Sequence, residues 1–166
     1  MSKIKNNNAI WSSRIKGKTS MLFQKFGSSI NIDKRLFNED ISTSIAHVEM
    51  LYIQKIINLK IKNKIVWGLN KIFSEIKKKK FVFKLEHEDI HMNIEKRLFE
   101  IIGEDAGFIH TARSRNDLVI TDLKLWMRKS TNELLKLLDT VIKSFLYVAE
   151  KNIKTVMPGF THLKNA

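Results

Sequence analysis

The sequence predicts a mainly α-helical protein, and three observations carry that expectation. Apolar residues recur at 3.6-residue spacing in successive segments between Lys34 and Asn152. The last segment, from Ser114 to Asn152, runs for about 39 residues without Gly or Pro, well beyond an ordinary globular helix. β preference is confined to a short extended piece, Phe81-Val82-Phe83.

The elements follow in order. Residues 1–20 have few periodic apolar positions and are expected to be irregular. Met21–Ile32 is a mixed segment in which Phe26-Gly27-Ser28-Ser29-Ile30 reads as a loop. A helix is expected from about Lys34 to Asn58, with Ile41, Ile45, Val48, Tyr52 and Ile56 on its apolar face. A second, from about Asn63 to Lys78, aligns Ile65, Leu69, Ile72 and Ile76. A third, from about Glu88 to Ile102, buries Ile90, Ile94, Leu98 and Ile101, with Gly103 suited to the position just past its end. The long helix carries Val119, Leu123, Trp126, Leu134, Leu138, Val141, Phe145 and Val148. At ~1.5 Å per residue it would be a rod of roughly 58 Å, which needs neighbours along its whole apolar stripe. A tight Pro-Gly turn is expected at Pro158-Gly159. The expected divisions are an irregular segment 1–20, a helical domain 21–113 and the start of a second domain at 114–166.

Composition narrows the function classes. With 43% hydrophobic and 28% charged residues, the 166-residue chain has the balance of a soluble globular protein. It has no cysteine, which excludes disulfides and thiolate metal sites and fits a reducing cytosol. Met1 to Trp11 lacks the apolar run of a signal peptide, and no segment reaches the ~20 apolar residues of a membrane span. A cytoplasmic protein with no membrane contact is expected. The net charge of +13 suggests nucleic acid, but the basic residues are spread along the chain. Their one run, Lys77–Lys80, has no interleaved aromatic residues to stack on bases, so no specific nucleic-acid binding is expected.

Chemistry concentrates where the long helix begins. His110-Thr111-Ala112-Arg113-Ser114-Arg115-Asn116-Asp117 places guanidinium, amide and hydroxyl donors at a helix N-terminus, whose unpaired N–H groups and dipole favour anions. Ser114 or Asn116 can cap the helix while the remaining donors face outward, an arrangement suited to a dicarboxylate. His87-Glu88-Asp89-Ile90-His91 satisfies H-E-x-x-H, a zinc pattern. It lacks the Gly-x-x-His extension, since Ile94 and Arg97 stand there, and Glu88 and Asp89 have a simpler role opposing the helix dipole. Thr161 and His162 follow a rigid turn, and a histidine can move protons near neutrality. Spacing alone leaves His162 a surface histidine, and Ser29 is an ordinary loop serine by composition.

Together these segments resemble the N-terminal third of the argininosuccinate lyases, within the aspartase/fumarase superfamily. The resemblance runs from Trp11 onward through Phe26-Gly27-Ser28-Ser29-Ile30, Asp40-Ile41, Ala46-His47 and Glu88-Asp89-Ile90-His91. It continues through Ile94-Glu95 and His110–Asp117 and ends with Met157-Pro158-Gly159-Phe160-Thr161-His162-Leu163. The sequence departs from the family pattern at Trp11-Ser12-Ser13-Arg14, a weak version of Trp-Gly-Gly-Arg. Ala112 stands where Gly is frequent, and Leu118 and Lys164 stand where Gln is usual.

The resemblance implies a helical domain followed by the first long helix of a truncated central helical bundle. It implies reversible β-elimination of argininosuccinate to arginine and fumarate, with no cofactor and no metal. On it, Ser29, Arg115, Asn116 and Thr161 bind substrate, His162 takes part in proton transfer, and Asp89 and Ser114 contribute secondarily. It also implies a homotetramer with shared active sites, a chain that is a piece of such an enzyme, and inactivity in isolation. The alternatives are a catalytically silent helical association protein, a basic nucleic-acid binder and an H-E-x-x-H zinc protein.

Overall fold

The computed structural model describes residues 21–165, so the expected irregular segment 1–20, including Trp11–Arg14, lies outside the described residues. The chain is mainly helical, as the periodicity predicts, and divides into two compact units, Met1–Trp126 and Met127–Ala166.

In the first unit, α1 (Met21–Gly27) and α2 (Ile30–Asp33) flank Ser28 and Ser29, so the mixed segment is two short helices around a two-residue break. A 3-10 turn, Lys34–Leu36, leads into α3 (Phe37–Ile53). This helix ends earlier than its apolar spacing suggests. The Gln54 N–H bonds back to the Met50 carbonyl, Lys55 takes φ 61°, and the N–H groups of Ile56 and Ile57 fold onto the Leu51 carbonyl. The face accordingly slips: Leu51 and Ile57 are buried, while Tyr52 and Ile56 are exposed. Asn58 then caps α4 (Leu59–Lys77) by accepting from the Ile61 N–H at 2.9 Å, which starts that helix four residues before the periodicity does.

Phe81-Val82-Phe83 is irregular backbone with no partner strand among the described residues, and Phe81 and Phe83 pack on the core. After a 3-10 turn, Leu85–His87, comes α5 (Ile90–Ile102), capped by Asp89 and closed by Gly103 at φ 73°. A longer 3-10 stretch, Gly103–His110, leads to α6 (Arg115–Lys151).

The core is formed where α4 packs between α3 and α5. Val48 and Leu51 of α3, Ile65, Leu69 and Ile72 of α4, and Ile90, Ile94 and Leu98 of α5 are almost fully buried. Each such side chain stabilises the fold by about 1.5–3 kcal/mol. Gly68 lets α4 and α5 approach, because a Cβ there would sit 2.6 Å from Leu98 Cδ1 and 3.1 Å from Ile102 Cγ2. Where α6 starts, the buried positions are Leu118 and Asp122, not Val119 and Leu123. The buried stripe is offset by one residue from the apolar one and places the carboxyl group of Asp122 on the inward face.

The second unit holds the rest of α6 and a short antiparallel hairpin, β1 (Phe160–Thr161) with β2 (Lys164–Asn165). Phe160 pairs with Asn165 and Thr161 with Lys164, so the turn falls at His162-Leu163 rather than at Pro158-Gly159. Both turn residues have positive φ, 55° and 119°, the backbone signature of the primed turns that suit hairpins. Within this unit Leu134, Leu138, Val141, Phe145 and Val148 are about half exposed or more, between 49% and 72%.

Candidate active site

The site is assembled around one unusual backbone turn. Glu88 takes φ 57° and ψ −58°, and the Asp89 N–H reaches the His87 carbonyl at 2.6 Å, which together make a tight γ-turn. The turn directs the Glu88 carbonyl at the Ser28-Ser29 break. There it accepts from the Ser29 N–H at 2.9 Å, the Ile30 N–H at 3.0 Å and the Ser28 hydroxyl at 2.7 Å. The loop that carries Ser29 is thereby tied to the start of α5. The Ser29 hydroxyl donates to Asp33 Oδ2 at 2.5 Å. Burial raises the Asp33 carboxyl above its usual range; the Ser29 bond opposes this and nearby Asp89 adds to it.

Asp89 has two roles. Oδ1 caps α5 by accepting from the Met92 N–H at 2.9 Å, and Oδ2 is ion-paired with Arg115 of α6. Ser29, Asp89 and Arg115 are thus linked through a single turn of backbone. Arg115 opens α6, and that start is a capping box. The Ser114 hydroxyl accepts from the Asn116 N–H at 3.2 Å, while Asp117 Oδ2 accepts from the Ser114 N–H at 3.2 Å. Asn116 is exposed at the first turn of this helix. Its neighbourhood combines amide, guanidinium and helix-end partial charge, the donor set a carboxylate needs.

Two departures from the family pattern acquire a physical meaning here. Ala112 holds φ 54°, a left-handed conformation in which Gly is free and an L residue is disfavoured by about 1–2 kcal/mol. Leu118 is 3% exposed and points into the unit, so the side chain at this position contributes to packing.

Thr161 and His162 belong to the second unit, on β1 and at the tip of the hairpin, and both are exposed. The H-E-x-x-H pattern does not form a zinc-binding face. His87 lies in the 3-10 turn, Glu88 in the γ-turn and His91 on α5, so the two histidines do not share one helix. His87 lines a cleft of about 400 Å³ with Phe81, Lys84, Lys96 and Arg97, which contains none of Ser29, Asp89, Arg115 or Asn116. His91 points elsewhere: its Nδ1–H donates to Asp40 Oδ2.

A buried polar cluster was not singled out by spacing. Asp40 of α3, His91 of α5 and Asp122 of α6 are 2%, 6% and 0% exposed, and one ligand atom of each lies within 4.8 Å of the others. Burial opposes the charged form of the His91 imidazole, but the hydrogen bond and charge of Asp40, followed by Asp89 and then Asp122, raise it above the usual histidine range. Asp122 is pushed up to about 7, by burial first and by neighbouring Asp40 second. Arg113 enters from the loop before α6, with both Nη atoms 3.4 Å from the Ser44 hydroxyl. Asp122 lies on a helix rich in apolar residues, and only the one-residue rotation of the stripe reveals that it faces inward. The remaining histidines serve structure: His47 Nε2 donates to the Thr111 carbonyl at 3.0 Å, and His110 Nε2 to Glu95 at 2.8 Å.

Comparison with known proteins adds a family and relatives. The model of a family described as "Lyase" matches residues 13–166. An argininosuccinate lyase of Pelagibacter ubique (strain HTCC1062) is 67% identical over 166 residues, covering 100% of this chain and 36% of that protein. Argininosuccinate lyases of Campylobacter jejuni (strain RM1221) and Ehrlichia chaffeensis (strain Arkansas) are 51% and 48% identical. Each of these alignments covers 96% of this chain and 35% or 34% of the relative. The chain spans about a third of the length of the curated relatives it matches.

Proposed function

The chain belongs to the lyase family, and from that premise we propose that it is the N-terminal part of an argininosuccinate lyase. The reaction is the reversible β-elimination of argininosuccinate to arginine and fumarate, the last step of arginine biosynthesis. The observation that carries the reading is the start of α6, where Arg115 is ion-paired with Asp89, next in sequence to the Glu88 carbonyl that holds the Ser29 loop, and Asn116 follows in the first turn. Removal of a proton from the carbon next to a carboxylate spreads negative charge onto that carboxylate. Donors fixed in advance at such a place favour the transition state over the ground state. A charge-assisted hydrogen bond contributes about 1.5–3 kcal/mol, so two or three are enough to hold a succinyl group.

In this reading Ser29, Arg115, Asn116 and Thr161 bind substrate, and His162 takes part in moving the proton. Asp89 and Ser114 act one step back, the first by orienting Arg115 and the second by capping α6. The domain division is residues 21–113 and then 114–166, the latter opening a helical bundle. The assembly is a cytoplasmic homotetramer, its sites completed by residues of other subunits and by chain beyond these 166 residues. The half-exposed apolar residues of α6 support such packing.

The test is complementation. Residues 1–166 alone should release no fumarate from argininosuccinate, followed by ultraviolet absorbance. Adding the remaining two-thirds of a close relative should restore release. Fumarate from the isolated chain would contradict the proposal. Stable oligomers without any restored activity would favour the second reading, a catalytically silent association protein, which the same exposed apolar residues support.

A further inference from the structure

We propose that Asp122 is a positioning residue: with Asp40, His91 and Arg113 it forms a buried clasp that fixes the start of α6 and so holds Arg115 opposite Asp89. The inference rests on the reading of that helix start as the substrate-carboxylate site.

The geometry comes first. The four groups arrive from α3, α5, the loop before α6, and α6 itself, so the cluster ties together every element that borders the anion site except the Ser29 loop. Arg115 stands between two members of the cluster in sequence, after Arg113 and about two helical turns before Asp122. A shift or rotation of α6 at Asp122 would therefore carry Arg115 away from Asp89. His91 Nδ1 bonds Asp40 and lies 3.7 Å from Asp122 Oδ2.

The pairing is incomplete in an informative way. Among the described residues both oxygens of Asp122 are buried without a partner at normal hydrogen-bond geometry, and so are Arg113 Nε and the Thr43 hydroxyl, although that hydroxyl faces Asp122 closely enough to favour its ionised form. A buried ionised carboxylate left unpaired is costly, whereas a protonated one is a neutral donor and acceptor. The groups that face Asp122 are Asp40 and Thr43 from α3, His91 from α5 and Arg113 from the preceding loop. Behind them, Asp89 acts on His91 and Glu95 acts on Arg113. The imidazolium of His91 is neutralised by Asp40, which leaves Asp122 as the carboxyl that keeps its proton near neutrality. Two carboxylates and an imidazole are also the donors of a divalent-cation site. Here the protonated imidazole and the Arg113 guanidinium already supply the countercharge, and a cation would face both.

The test compares wild type, Asp122→Asn and Asp122→Ala in the protein at its full natural length. Unfolding equilibria are measured in urea at pH 5.5 and 8.5, and fumarate binding by calorimetry. A carboxyl raised in the folded state contributes stability that is present at low pH and lost as pH rises through its folded value. Asn mimics the protonated acid and has no such loss. The ratio of the wild-type unfolding constant to that of Asp122→Asn should therefore rise about thirtyfold between the two pH values. Asp122→Asn should unfold no more readily than wild type at pH 5.5, where the unfolded Asp122 is already ionised, and bind fumarate within about threefold of it, while Asp122→Ala binds at least tenfold more weakly.

A pH-independent ratio, or Asn as disruptive as Ala at pH 5.5, overturns the clasp. Wild-type fumarate affinity in Asp122→Ala overturns the positioning role. If Asp122→Ala does not fold, the Asn variant still decides through the pH ratio. If neither wild type nor Asp122→Asn binds fumarate, the carboxylate-site reading fails, while the unfolding ratio still judges the clasp.

Discussion

Replacing Gly68 with Ala sets two opposing effects against each other at the contact between α4 and α5. An interior helical Gly costs about 1 kcal/mol relative to Ala, so on propensity alone Gly68→Ala should stabilise. The added methyl, however, would lie 2.6 Å from Leu98 Cδ1 and 3.1 Å from Ile102 Cγ2. Both neighbours are core residues, with Leu98 fully buried and Ile102 5% exposed, so neither can swing into solvent. Overpacking of this kind costs typically about 1–3 kcal/mol in off-rotamer side chains and backbone shifts. Relief at 2.6 Å requires α5 to retreat by a large fraction of an ångström, which places the cost toward the upper end. The expected net effect is a loss of about 1–2 kcal/mol. Urea unfolding followed by circular dichroism would read this as a lower midpoint at unchanged slope. Gly107→Ala is the control, since nothing lies within 4 Å of the Cβ it would add. Gly68→Ala equal to wild type or more stable would refute the reasoning, for it would mean that the helices have slack at their closest approach.

Two further substitutions test the site. Asp89→Ala should cost about 0.5–2 kcal/mol through loss of the α5 cap. Asp89→Asn keeps a capping oxygen and should stay near wild-type stability while losing the charge partner of Arg115. Equal losses in thermal unfolding would show that the cap is unimportant. In the completed enzyme, His162→Asn should lower kcat far more than KM, measured by initial rates; an unchanged kcat would remove His162 from the proposed proton transfer.

The sequence makes the helices legible where apolar spacing and helix-end signals agree. Ile65, Leu69 and Ile72 align on one face and are buried, and Gly103 closes α5 in the positive-φ conformation its position suggests. It is misleading where a short-range backbone bond overrides periodicity. Tyr52 and Ile56 extend the α3 pattern on paper, yet the reversal at Lys55 ends the helix and buries Ile57. The same holds at the chain's end, where Pro158-Gly159 has the chemistry of a turn but strand pairing places it at His162-Leu163. At the candidate site the donors around Arg115 are readable because helix starts have a local grammar. The Asp40–His91–Asp122 cluster is not, because it joins three distant parts of the chain and its charge disguises Asp122 as a solvent-facing residue.

The γ-turn at Glu88 separates two properties that usually travel together, what a residue shows to solvent and what its backbone does. Three donors from the Ser28–Ile30 segment converge on the carbonyl, so the carboxylate beyond Cβ takes no part in holding that loop. The position can therefore vary in charge without loosening Ser29, provided the newcomer tolerates a backbone that penalises branching. Glycine, asparagine and aspartate suit it, and valine, isoleucine and proline do not. A residue that reads as an acidic helix-start signal is thus, structurally, a peptide plane held at an angle.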